Sequence, residues 1–405
     1  MIQTWALVVD AYREVNSKKL FWISNGLSVL VVAVFACVGL TEKGLKVLWF
    51  DVPAPFTTAL MTEAEFYKYM FSIFGVSFWL GWVCTILALV STAGMIPDLI
   101  TSGSIELMLS KPIGRLRLFV TKYLCGLMFA GVQVLLFTTA SVLVIGLRGG
   151  EWLPSLFLAV PIVLMFFSYF FCVCVFLGMV TRSTVAALLF TLLFWFGLFA
   201  LSSTERGFLV GMVQAEQEAK FVSLDVEATK LQLQQMKDAA AEKAANPVPA
   251  AKDGVGVRSP AKGVGGVLLE ALQKAVAKDP TVRDIEIMLT SKETRLKKEL
   301  EDVEWWNTWH QSFLIARFAL PKTDETKELL VRTIAKDATM KRLMAAETSA
   351  ANRPSRGPRA DQIRAQRVVE ERLADRTVPW ILGTSLGFEA VVLLLTGWIF
   401  CRRDF

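Results

Sequence analysis

The chain has 405 residues, of which 54% are apolar and only 20% charged, with a net charge of +6 and a mean hydropathy of +0.48. That balance excludes an ordinary soluble domain and a disordered chain, and suits a membrane protein with one polar portion. Charge is unevenly spread: Glu205 to Arg376 holds 29 basic and 26 acidic side chains, so no basic face marks a nucleic-acid partner.

In chain order, Trp5, Val8, Val9 and Tyr12 come first, at helical spacing, with Asp10, Arg13 and Glu14 elsewhere on the wheel. The pattern reads as an interfacial amphipathic helix or as an extension of the first span. Six apolar runs then approach the ~20 residues a bilayer requires. They are Leu20–Leu40, Phe71–Ile96, Leu118–Leu147, Trp152–Thr181, Thr184–Ser203 and Pro379–Phe400. The first is too long and too late for a cleaved signal. Pro161 is expected to kink the fourth, and Trp22, Trp152, Trp380 and Trp398 stand near span ends, where interfacial belts form. With the amino terminus inside, the inner segments carry ten Lys and Arg against four in the short outer loops, which places both termini in the cytoplasm. The six cysteines all lie in or beside apolar runs, so no disulfide framework is expected.

Between spans five and six lie about 170 polar residues. Phe221, Leu224, Ala228 and Leu231 repeat in a three-four rhythm, and so do Ile285, Leu289, Leu296, Leu300 and Val303, with Glu293 four before Lys297. The two stretches predict an antiparallel hairpin, packed within one chain or between two chains. The Pro/Gly-rich linker 246–266 between them is expected to be mobile. A Trp-rich stretch, Trp305–Pro321, reads as an interfacial helix or as a core helix of this insertion.

Some chemistry is excluded. No G-x-x-x-x-G-K-[ST] loop occurs, and His310 is the only histidine, so neither nucleotide hydrolysis nor a His-rich metal site is encoded. Glu389, in the middle of span six, is costly there unless it is protonated, paired or wetted. Two readings stand: a polar point on a transport path or dimer seam, or a protonated acid hydrogen-bonded to a neighbouring helix, for instance to Ser or Thr.

The segment Pro97–Leu124 is polar and partly basic, lodged between two spans. Asp98, then Gly103-Ser104-Ile105-Glu106, Pro112 and Arg115 resemble the coupling region of the ABC-2-type permeases, with Ser104 where that family usually has Thr. The terminal Phe400-Cys401-Arg402-Arg403-Asp404-Phe405 is similar to the family's close of the last span: Phe, a basic pair and an acid. The resemblance covers Met1–Ser203 and Pro379–Phe405. The apolar runs and helical rhythms predict an all-α membrane protein of six transmembrane helices with a helical extracytoplasmic insertion, which departs from the shortest family members, and the resemblance adds a cytoplasmic coupling helix at about 98–112. The division expected is 1–203, 204–378 and 379–405. The resemblance further implies a permease subunit of an exporter in a bacterial inner membrane, dimeric and driven by a separate ATP-binding cassette subunit that carries the ATP and magnesium. Glu106 and Arg115 would be its polar contacts, bracketing an apolar face of Ile105, Met108 and Leu109. A channel or carrier that needs no ATPase, and a non-transporting assembly or signalling protein, are the alternatives.

Overall fold

The computed structural model describes residues 19–41, 44–47, 50–52, 62–101, 114–245, 280–334 and 376–402, with short pieces at 9, 12–13, 16, 365, 367–369 and 371–373. Trp5, Val8 and the linker 246–266 lie outside the described residues, as does most of the coupling segment. Contacts divide the chain into two units: Met1–Thr204 with Phe313–Ser355 and Leu373–Phe405, and Glu205–Ser312 with Arg356–Arg372.

The first unit is built on helices. Among the described residues, six are long and apolar enough to cross a bilayer. The first, α1, runs Lys19–Ala36. It stops four residues before the expected end of the first span, because the chain then turns into strands. Val38–Thr41 (β1), Gly44–Val47 (β2) and Phe50–Val52 (β3) form an antiparallel meander, with Val38 opposite Val47 and Leu45 opposite Val52. These three short strands depart from the all-α expectation, while the described residues are otherwise mostly helical. Val38, Leu40, Val47, Phe50 and Val52 are β-branched or aromatic or apolar residues at alternating positions, which a pleated strand accommodates well.

Span two starts as α2, Glu63–Met70, behind a capping box. The Thr62 hydroxyl accepts from the Glu65 N–H, while the Glu65 carboxylate accepts from the Thr62 N–H. From Phe71 to Cys84 the backbone takes the wider i→i+5 form of a π-helix. The Ser77 and Thr85 hydroxyls follow it, donating to the Ser72 and Leu80 carbonyls five residues back, at 3.1 and 2.8 Å. The span ends in α3, Thr85–Thr92, a 3₁₀ turn at Ala93–Met95 and α4, Pro97–Thr101.

Span three is α5, Arg115–Gly149, closed by Gly150 at φ 72°, a left-handed position that glycine takes without strain. Span four is a 3₁₀ turn, Pro154–Leu158, followed by α6, Ala159–Thr181. Pro161 thus falls in the first turn of α6, just after the 3₁₀ turn, a part of a helix where proline is well tolerated. Span five opens α7, Thr184–Ala245, which continues past Ser203 as one helix because no proline interrupts it. Span six is α10, Val378–Arg402, preceded in sequence by α8, Pro280–Phe318, and α9, Thr323–Ile334.

The spans pack through aromatic rings and small polar contacts rather than through a hydrophobic drive, which lipid does not supply. Phe166, Phe167, Phe170 and Phe171 line the buried face of α6, and Tyr123 stacks on Phe171 at 5.1 Å. Gly126 lets that Phe171 ring lie directly against the α5 backbone. Between the first three spans runs a polar seam: Gln133 donates to the Ser24 hydroxyl, and the Trp79 indole donates to Ser28 at 3.4 Å.

In the second unit, α7 and α8 pair antiparallel. Lys230 meets Glu293 at 2.8 Å, Lys237 meets Glu286 at 2.7 Å, and Lys292 bridges Asp225 and Thr229 at 2.8 and 3.0 Å. The predicted hairpin is present, but the expected stripe on α7 points outward: Phe221, Leu224 and Leu231 are exposed. Buried instead are Ala215, Ala219, Val222, Val226, Thr229 and Leu233, in an unbroken four-three spacing. That spacing is a heptad seam, and small or β-branched residues let the two backbones approach. On α8, Ile285, Leu289, Leu296 and Val303 do face the seam, whereas Leu300 is exposed. Glu293 reaches across to Lys230, not only along its own helix towards Lys297.

Candidate functional site

Two of the residues expected to engage a driving partner are described. Asp98 is exposed on the first turn of α4, beside buried Leu99. Arg115 opens α5 and donates through Nη1 to the Cys401 carbonyl, at 3.3 Å, in the last turn of α10. The basic group near a helix C-terminus satisfies an orphan carbonyl there. It also brings the start of span three and the end of span six to one end of the bundle. At the opposite end, Lys68 at the start of span two pairs with Glu151 before span four, at 3.1 Å. Gly103, Ile105, Glu106, Met108, Leu109 and Pro112 lie outside the described residues. The terminal residues show their own packing: Phe400 is buried against Phe119, and the Arg402 guanidinium lies 4.6 Å over the Trp398 ring.

Glu389 is buried between three spans. Its Oε1 accepts from the Tyr123 hydroxyl of α5 at 2.8 Å, and its Oε2 accepts from the Ser168 hydroxyl of α6 at 2.8 Å. A carboxyl group in an apolar bundle is tolerated when hydrogen bonds replace its water. Tyr123 and Ser168 are partners from two neighbouring helices, the kind of contact the second sequence reading invoked.

A second polar cluster was not anticipated as a site. The stretch after Pro321 folds back as α9 and packs against α6, α10 and the π-helical stretch. Its Glu325, 2% exposed, is gripped by two guanidinium groups: Arg317 at 2.9 Å from the end of α8, and Arg376 at 2.6 Å ahead of α10. Lys322 is as deeply buried. Its Nζ donates to the carbonyls of Arg317, Phe318 and Leu320 at 2.9, 3.2 and 3.1 Å, closing the C-terminus of α8, and lies 4.8 Å over the Trp380 ring. Its backbone N–H donates to Ser385 of α10. Burial first, then the neighbouring Arg317 charge, pushes the Lys322 ammonium down to about 8, with Glu325 opposing. Pro321 followed by Thr323, Asp324 and Glu325 was the legible signal, since acidic residues behind a proline mark a helix start. What the sequence did not disclose is that this helix carries its charges inward.

Six helices long and apolar enough to cross a bilayer, tied by buried polar contacts, suit a multi-pass membrane protein. The family model described as ABC-2 family transporter protein matches residues 18–239, and the chain belongs to that family as an ABC-2-type permease. No curated protein and no solved structure matches the chain.

Proposed function

We propose that this permease is the membrane half of an ATP-driven exporter, working as a dimer of two six-span subunits with cytoplasmic ATP-binding cassette subunits. The family match carries the reading: it extends over residues 18–239 and so includes the whole of the segment between spans two and three. In this reading that segment is the coupling helix. Asp98 and Arg115 flank it, and Ile105, Glu106, Met108 and Leu109 contact the ATPase. The ATP and magnesium belong to that partner. In this reading both termini lie on the cytoplasmic side of a bacterial inner membrane and the 204–378 insertion lies outside; the ten-to-four excess of basic residues supports that orientation. Affinity purification of the full chain from native membranes should recover an ATP-binding cassette protein, and Glu106→Arg should lose it while the permease stays in the membrane. Recovery of the same partner by the variant would remove the segment from the mechanism.

Glu389 serves in this reading as a tie between spans three, four and six. Glu389→Gln keeps an acceptor and should transport like the parent, whereas Glu389→Leu strands the Tyr123 and Ser168 hydroxyls, at about 1–3 kcal/mol. Loss of transport in a well-folded Gln variant would instead make Glu389 a substrate contact.

A further inference from the structure

Helix α9 carries a second inward cation, Lys327, in surroundings quite unlike those of Lys322. Among the described residues, no carbonyl cluster caps it. Its Nζ lies 5.4 Å from the centroid of the Trp82 ring and 5.4 Å from that of Phe166. The box is reinforced from behind. Trp195 stacks on Trp82 at 4.8 Å with an interplanar angle of 13°, and meets Phe166 edge-on at 6.0 Å. Three spans supply these rings: Trp82 comes from the π-helical stretch, Phe166 from α6 and Trp195 from α7. Among the described residues, one carboxylate completes the setting. Asp324 Oδ1 is 3.2 Å from Nζ, and its Oδ2 is held by the Ser202 hydroxyl. Gly81 leaves the space through which the lysine stem passes, since a Cβ there would stand 3.1 Å from the Lys327 Cδ.

Ring faces converging on one cation are a means by which proteins recognise organic ammonium groups, and a carboxylate beside them adds a counter-charge. A lysine needed only to balance Asp324 requires no aromatic walls, and a helix needed only to pack would place an apolar side chain there. We propose that the Trp82–Phe166–Trp195 box is a binding site for an organic ammonium group, occupied in this conformation by the chain's own Lys327. The ligand class is a primary or quaternary amine, with Trp82 and Phe166 supplying the faces and Asp324 the counter-charge. Lys327 vacates the box when α9 withdraws, and α9 is fastened by Glu325 between Arg317 and Arg376. Entry of a ligand is therefore coupled to opening that ion-paired seat. The site deepens the permease reading by giving the transported molecule a cationic group, and for that consequence alone it rests on that reading.

The binding test needs neither ATPase nor transport. Purified full chain is titrated with tetramethylammonium chloride, with sodium chloride as the ionic control and tert-butanol as a neutral probe of similar shape. Tryptophan fluorescence and saturation transfer to the probe methyls report binding. Lys327→Ala should bind tetramethylammonium saturably and at least tenfold more tightly than the parent. Adding Trp82→Leu should reverse that gain, and tert-butanol should not compete. Lys327→Ser repeats the experiment with a polar replacement. The proposal is overturned by absence of saturable binding in both variants, by binding indifferent to Trp82, by equal binding of tert-butanol, or by failure of both variants to fold, which would make Lys327 a strut. Failure here leaves co-purification of an ATPase untouched, and failure of that co-purification leaves this binding result standing.

Discussion

The hairpin of α7 with α8 and the seat of α9 both combine charged and apolar side chains, in opposite arrangements. In the hairpin the apolar residues are inside, at heptad spacing, and the ion pairs ride on the surface: Lys230 and Glu293 are 55% and 47% exposed. In the seat the ion pairs are inside, with Glu325 2% and Arg317 7% exposed, and the Arg376 guanidinium lies 5.7 Å over the Trp380 ring. The difference teaches which contacts are expensive to break. An exposed pair exchanges one hydrated state for another and contributes little. A buried pair has already given up its water, so removing one partner leaves a charge that nothing else compensates.

The largest effect should therefore come from Glu325→Ala. It leaves Arg317 and Arg376 facing each other in a dry site, a loss of about 3–5 kcal/mol by the behaviour of buried pairs. Thermal unfolding of the purified permease should show a clear fall in midpoint. A variant that unfolds at the parent's temperature would mean that water reaches the seat and that the contrast with the hairpin is not real.

Within the hairpin, the seam and the exposed stripe can be set against each other. Leu233 is buried in the seam at 9% exposure, whereas Phe221 is 66% exposed. Leu233→Ala should cost about 2–4 kcal/mol of hairpin stability through lost burial and a residual cavity. Phe221→Ala should change it by less than about 0.5 kcal/mol, despite the larger side chain. Equal losses at both positions, read by circular dichroism melting, would show that the stripe Phe221–Leu224–Leu231 is covered by something else.

The same contrast explains what could be read from the sequence. Span number, the hairpin and its antiparallel sense follow from hydropathy and helical rhythm, which act over many residues. The hairpin's inner face was misassigned because Phe221, Leu224 and Leu231 outweigh Val222 and Val226 on any hydrophobicity scale, although close backbone approach favours the smaller set. The meander at 38–52 was absorbed into the first span and its loop, since a short apolar strand and a helix end look alike. Glu389 stood out in the sequence because it is alone among apolar residues, but its partners Tyr123 and Ser168 lie 266 and 221 positions away and cannot be inferred from spacing. The α9 seat was hidden for the opposite reason. Among so many charges between Glu205 and Arg376, nothing local distinguishes the buried Lys322, Glu325 and Lys327 from the solvated ones.

Lys322 sharpens the comparison through pH. Its ammonium ionises at 10.5 in an unperturbed chain and at about 8 in this site, where Arg317 from α8, Glu325 from α9 and Arg376 before α10 face it. The unfolded chain thus holds this proton over a range in which the folded one has released it. Stability from this group accordingly rises as pH climbs from about 8 towards 10.5, and its burial cost is felt in full below about 8. The difference in unfolding midpoint between the parent and Lys322→Met should depend on pH in that window, moving in the parent's favour as pH rises. A difference that stays flat across the window would show that the ammonium is hydrated.

The smallest effect should belong to the exposed pair Lys230–Glu293. Its 2.8 Å separation is as short as that of the buried pairs, so distance alone would rank it with Glu325 and Arg317. Exposure decides otherwise: both side chains keep about half their surface in water, and salt screens what attraction remains. Lys230→Ala should lower hairpin stability by no more than about 0.5 kcal/mol, and by less still in high salt. The double variant with Glu293→Ala isolates the pair term from the other roles of each residue. A coupling as large as that expected in the seat would mean that this face of the hairpin is buried against a partner, most directly the same partner that an unexpectedly costly Phe221→Ala would reveal.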